Sequence, residues 1–170
     1  MLFRSRTVIL WYTLLGGRFS RREIDVVMAH ELGHLHHDHI LKDVGWFVLF
    51  ALPAGIVVAL ITRRRGGMGR PEAVPLALLV VVVLQLVMTP FDNLRTRRME
   101  AEADWAALQT ARDPEAAVRL FQGLSRTALE QTDPPGWAYA AFANHPTIMQ
   151  RIAMVRAWQG RVGVAGSRAR

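Results

Sequence analysis

Hydrophobic and polar positions divide the chain into three regimes. Residues 8–15 form a short apolar run rich in β-branched and aromatic side chains, and Gly16-Gly17 follow it. This predicts a buried strand ending in a turn. From Ser20 the pattern becomes helical. Ser20 and Glu23 make an S-x-x-E capping box, and Ile24, Val27, Met28, Leu32 and Leu35 recur on one face. An amphipathic helix is predicted from residue 21 to about residue 41. Residues 44–62 and 73–91 then carry no charged side chain. Each would span about 28 Å as a helix, close to one hydrocarbon core. Joined by an Arg- and Gly-rich loop, they predict a transmembrane hairpin. Too few residues remain to cover two wholly apolar helices as a soluble core.

Beyond the hairpin the helical pattern continues to about residue 111. Asp113-Pro114-Glu115 marks a new start, with an N-cap, a proline in the first turn and an acid beside it. That helix should run to about residue 129. Asp133-Pro134-Pro135-Gly136 reads as a loop, and a last helix is expected from about Pro146 to Gly160. No internal repeat is present, and the fold class is mainly α with a short N-terminal β element.

Composition sharpens this picture. Apolar residues make up 51% of the 170, concentrated in the two uncharged stretches. There is no cysteine, so disulfides, thiolate metal sites and cysteine nucleophiles are excluded. Any metal must be held by His, Asp or Glu. The net charge of +7 comes almost wholly from arginine, with Lys42 the only lysine. The arginines are scattered or flank apolar stretches, as at Arg63-Arg64-Arg65, which fits lipid headgroups and not nucleic acid.

The candidate chemistry lies in the first predicted helix. His30-Glu31-Leu32-Gly33-His34 is an H-E-x-x-H sequence. Histidines at i and i+4 share a helix face and can hold one tetrahedral zinc at about 2.0–2.1 Å. Zinc lowers the pKa of its water to about 7, and Glu31 can take the proton as general base. A hydrolytic site needs a third protein ligand and an open fourth position. Within Glu100-Ala101-Glu102-Ala103-Asp104, Glu100 and Asp104 share a face and Glu102 points away from it. Glu100 is the expected ligand, although spacing alone leaves Glu102 open. Asp104 is expected to accept the second ring N–H of a ligand histidine. His36, His37 and His39 continue the helix as exposed residues or an auxiliary metal patch.

These residues resemble the membrane zinc endopeptidase family that contains the CAAX prenyl proteases and the HtpX-type heat-shock proteases. Three elements match in order: the strand and H-E-x-x-H helix; Arg97-Arg98-Met99-Glu100-Ala101-Glu102-Ala103-Asp104 after the hairpin; and His145-Pro146 followed by Arg151. The resemblance covers roughly residues 7–158. It implies a zincin-like metallopeptidase domain over residues 1–170, with the membrane helices 44–62 and 73–91 inserted between the two halves of the zinc site. It also implies one zinc per chain held by His30, His34 and Glu100, with Asp104 behind them. His145 and Arg151 would lie near the substrate and stabilise the oxyanion. Relatives carry further transmembrane helices ahead of the strand, so this chain resembles their catalytic C-terminal part, and Tyr12 stands where relatives often have Asp. The expected protein is a multi-pass zinc metalloendopeptidase of the cell membrane, acting on peptide or protein substrates at or near the bilayer. A second reading is a catalytically incomplete zinc-binding membrane module or sensor.

Overall fold

A computed structural model of the chain describes residue 14 and residues 16–128 and 131–168. Among them lie six α-helices: α1 (Arg21–His36), α2 (His39–Thr62), α3 (Val74–Ala111), α4 (Pro114–Ala128), α5 (Gly136–Phe142) and α6 (Ile148–Arg168). Two short 3-10 turns, Arg63–Arg65 and Pro71–Ala73, join α2 to α3. No strand occurs among the described residues. The expected strand at residues 8–15 lies outside them except for Leu14, which is helical. The β element is therefore not supported. The physical reason is that an apolar run without alternation fits a buried helix as well as a buried strand.

The capping box at Ser20 is present. The Ser20 N–H donates to Glu23 Oε2 at 2.6 Å, and the Ser20 hydroxyl accepts from the Glu23 N–H at 3.4 Å. The predicted single helix to residue 41 is instead two helices. Asp38 sits in the left-handed region at φ 52° and turns the chain between α1 and α2. Aspartate tolerates that conformation better than most side chains, and no Gly or Pro announces the break. The Asp113 start is as expected, with Asp113 Oδ1 accepting from the Ala116 N–H at 3.0 Å. The short helix α5 has no counterpart in the sequence prediction. Helix α6 passes Gly160 without ending.

Two features place the functional residues. First, α1 and α3 make the most extensive helix pair in the molecule, and they meet backbone to backbone. A Cβ on Gly33 would lie 3.1 Å from the Ala103 carbonyl oxygen and 3.2 Å from Ala103 Cα. Ala29, Ala103 and Ala107 line the rest of the crossing, all buried. Small residues let the helix axes approach more closely than Leu or Val would. The core extends from there through Val26, Leu108, Leu120, Phe121, Val155 and Trp158 of α1, α3, α4 and α6.

Second, α2 and the first half of α3 project from that core as an apolar hairpin. Their most hydrophobic windows have 0% and 6% of residues buried. Phe47, Leu52, Leu78, Leu86 and Phe91 are all exposed. Core helices of a soluble protein would be covered, so these helices need an apolar surrounding that the chain itself does not supply.

The crossing yields a prediction. Gly33→Leu must force α1 and α3 apart, and should cost about 1–3 kcal/mol in unfolding stability. It should also weaken metal binding, since the ligands come from both helices. Unchanged thermal stability together with unchanged zinc affinity would show that the close approach is not required.

Candidate metal centre

Helix α1 presents His30 and His34 one turn apart, and α3 brings Glu100 up against them. One ligand atom from each lies within 4.8 Å of the others, the only such three-residue group among the described residues. The separations are closer than that limit. His30 Nε2 and His34 Nε2 are 3.0 Å apart. Glu100 Oε2 is 3.4 Å from His30 Nε2, and Glu100 Oε1 is 3.5 Å from His34 Nε2. Donors about 2.0–2.1 Å from a tetrahedral ion sit about 3.3–3.4 Å from one another. The three groups thus stand near the spacing of one tetrahedral face, and their N, N, O chemistry suits zinc.

Each histidine is held from behind. His30 Nδ1 is 3.0 Å from Asp104 Oδ1. Asp104 is only 2% exposed and also accepts from Arg151, Nε at 2.7 Å and a terminal nitrogen at 2.5 Å. The Arg151 guanidinium also lies 4.2 Å over the Phe121 ring. A buried carboxylate needs such pairing, because removing one member of a buried ion pair typically costs 3–5 kcal/mol. Arg151, expected near the substrate, thus has its guanidinium engaged by Asp104. His34 has a different partner, His39, with the two Nδ1 atoms 2.8 Å apart. Glu102, left open as a ligand by spacing, instead lies 3.1 Å from His39 Nε2.

Glu31 is exposed beside His30, and no hydrogen bond or ion pair ties its carboxylate to another described residue. His145 lies in the loop between α5 and α6, 47% exposed, with Nε2 3.5 Å from Glu100 Oε2. Arg97 sets that loop. Its guanidinium donates to the carbonyls of Tyr139 at 3.1 Å and Ala143 at 2.5 Å, at the end of α5. Asn93 donates to the Ala141 carbonyl at 2.7 Å. Sequence reasoning missed Arg97, Asn93 and His39 as residues that shape the site. Arg97 stood in the segment that resembles the family, without a role, and for Asn93 the only signal was its place two turns before Glu100. His37 stacks on His39, and His36 meets His37 edge-on.

Electrostatics follow from this packing. Burial works against charge on His30, but hydrogen bonds to Asp104 and Glu100 outweigh it and push its pKa up to about 9. Burial, reinforced by the neighbouring His30, pushes His34 down. Burial would raise Glu100, yet the hydrogen bond from His30 holds it below the usual carboxylate range. Asp104 is likewise held down, against burial, by His30 and Arg151. At neutral pH the metal-free site is therefore a carboxylate, a neutral His34 and a protonated His30. Metal binding at His30 Nε2 must expel that proton. Zinc affinity should accordingly climb about tenfold per pH unit from about pH 7 to about pH 9, measured by competition with a chelator of known affinity. A flat profile over that interval would mean that no proton leaves the site.

Comparison with known proteins agrees with this geometry. A family model described as peptidase family M48 matches residues 1–159. The uncharacterized metalloprotease YhfN of Bacillus subtilis (strain 168) is 32% identical over 158 residues, covering 87% of this chain and 37% of that protein. A protease HtpX homolog of Methylibium petroleiphilum is 29% identical over 136 residues, covering 79% and 46%. The crystal structure of S. mikatae Ste24p shares the fold, with a TM-score of 0.77 and 22% identity over 91% of this chain and 40% of that one. The chain spans less than half the length of each of these relatives.

Proposed function

The chain belongs to peptidase family M48, and from that premise we propose that it is the catalytic part of a membrane zinc endopeptidase. The observation that carries this reading is the grouping of His30 Nε2, His34 Nε2 and the Glu100 carboxylate, with separations of 3.0, 3.4 and 3.5 Å. Zinc, when bound there, supplies Lewis acidity that polarises the scissile carbonyl and acidifies the attacking water.

The chain's own residues do the rest. Glu31, next in sequence to a ligand and free in solvent, takes a proton from the attacking water and delivers it to the leaving amine nitrogen. His145, on the Arg97-anchored loop, has Nδ1 turned to Asn144 Oδ1 at 2.7 Å, so its Nε2 donates toward the oxygen on which negative charge develops when both ring nitrogens carry hydrogen; such a donor is worth about 10²–10³ in rate. Asp104 orients His30, and Arg151 holds Asp104, so Arg151 acts through the acid. Residues 44–62 and 73–91 cross the bilayer, supported by two helices long, apolar and uncovered enough to do so. This multi-pass arrangement keeps the site near the cell membrane surface, where peptide or protein chains emerging from the lipid would be cut.

Glu31→Gln tests the base. Zinc content should stay at one per chain, while chelator-sensitive cleavage of an unfolded protein should fall by about 10²-fold or more. Undiminished cleavage by the variant would refute the assignment. Absence of any chelator-sensitive cleavage by the unaltered chain would favour the non-catalytic zinc module instead.

A further inference from the structure

The two ligand histidines are braced unequally, and the less obvious brace has no assigned role. His30 leans directly on a carboxylate, Asp104. His34 leans on another imidazole, His39 Nδ1 at 2.8 Å, and His39 Nε2 in turn reaches Glu102 Oε2 at 3.1 Å. His39 is 2% exposed, whereas the Glu102 side chain is 50% exposed. A buried imidazole with both nitrogens engaged has a defined ring orientation. The left-handed Asp38 is what returns the chain so that His39 opens α2 with its ring against His34. His37 stacks on that ring, 5.5 Å between centroids.

The proton positions along this line are fixed by the ligand role. His34 Nε2 faces His30 and Glu100, so it is the nitrogen that would meet zinc. A neutral imidazole that ligates through Nε2 carries its hydrogen on Nδ1. His34 Nδ1 therefore donates, and His39 Nδ1 must accept. With its lone pair at Nδ1, neutral His39 carries its hydrogen on Nε2 and donates it to the Glu102 carboxylate. Every polar atom in the line has one role, and no other tautomer of neutral His39 satisfies both contacts.

We propose that His39, held by Glu102, is the positioning residue that fixes the tautomer and ring angle of His34 for zinc. This deepens the zinc reading above and rests on it. Glu102, which the sequence left as a rival ligand, then acts one imidazole removed from the metal. Partners of this kind, hydrogen-bonded to a ligand histidine, typically change metal affinity by 10–100-fold.

The test is zinc affinity of the purified chain in detergent at fixed pH, by chelator competition, together with the visible absorption of the cobalt-substituted protein. His39→Leu should bind zinc about 10–100-fold more weakly and shift the cobalt bands. His39→Asn, whose amide oxygen can accept from His34 Nδ1–H, should recover most of the affinity. Rescue by Asn separates hydrogen bonding from simple packing. Glu102→Ala, at a half-exposed position, should give a smaller loss in the same direction. Equal affinity and identical cobalt spectra in His39→Leu and the unaltered chain would overturn the proposal. If His39→Leu does not fold, unchanged zinc affinity and unchanged cobalt bands in Glu102→Ala overturn the proposal. Failure of the unaltered chain to bind zinc would instead overturn the zinc reading itself.

Discussion

The structure depends on one close crossing. Helices α1 and α3 touch where Gly33 faces the backbone of Ala103, and the candidate ligands sit on either side of that contact. Gly33 lies between His30 and His34 in sequence; Ala103 lies between Glu100 and Asp104. The residues that let the helices meet are thus interleaved with those that use the meeting. A helix carries its side chains outward from a radius of about 2.3 Å, and the close approach brings imidazole arms of one helix and a carboxylate arm of the other within ion-binding range.

Around that crossing the chain separates charge burial from charge exposure. Asp104 and Arg151 are desolvated together under Phe121, and that pairing removes the penalty either would suffer alone. Glu31 and His145, the groups proposed to exchange protons or meet substrate, stay open to solvent. His39 and Glu102 bridge the two regimes, one buried and one half-exposed. The side of the site formed by His30 is thus locked by a buried ion pair. The side formed by His34 is held by a line that ends in water.

Much of this was legible in the sequence, and the misses have physical causes. The H-E-x-x-H pair, Glu100 and Asp104 could be read because helical spacing fixes which residues share a face. The two apolar segments could be read because composition alone defines them. The break at Asp38 could not, since aspartate enters the left-handed region without the Gly or Pro that usually marks such a turn, and its consequence was that His39 looked like one more exposed histidine. The choice between Glu100 and Glu102 needed the crossing itself. Helix α5 escaped because its seven residues are held by Asn93 and Arg97 on a distant helix, not by local pattern. The apolar run at residues 8–15 carries no periodicity that separates strand from helix.

The 65 residues between His34 and Glu100 are mostly the apolar hairpin, so the two halves of the site come together only when that excursion folds back on itself. Metal coordination therefore reports the whole arrangement at once. X-ray absorption at the zinc edge of the loaded chain measures it most directly. The account predicts a first shell of two imidazole nitrogens and light oxygen donors at about 2.0–2.1 Å, with one histidine pair and Glu100 accounting for the protein ligands. Three or more imidazoles in that shell, recruited from His39 or His145 in place of the carboxylate, would contradict it.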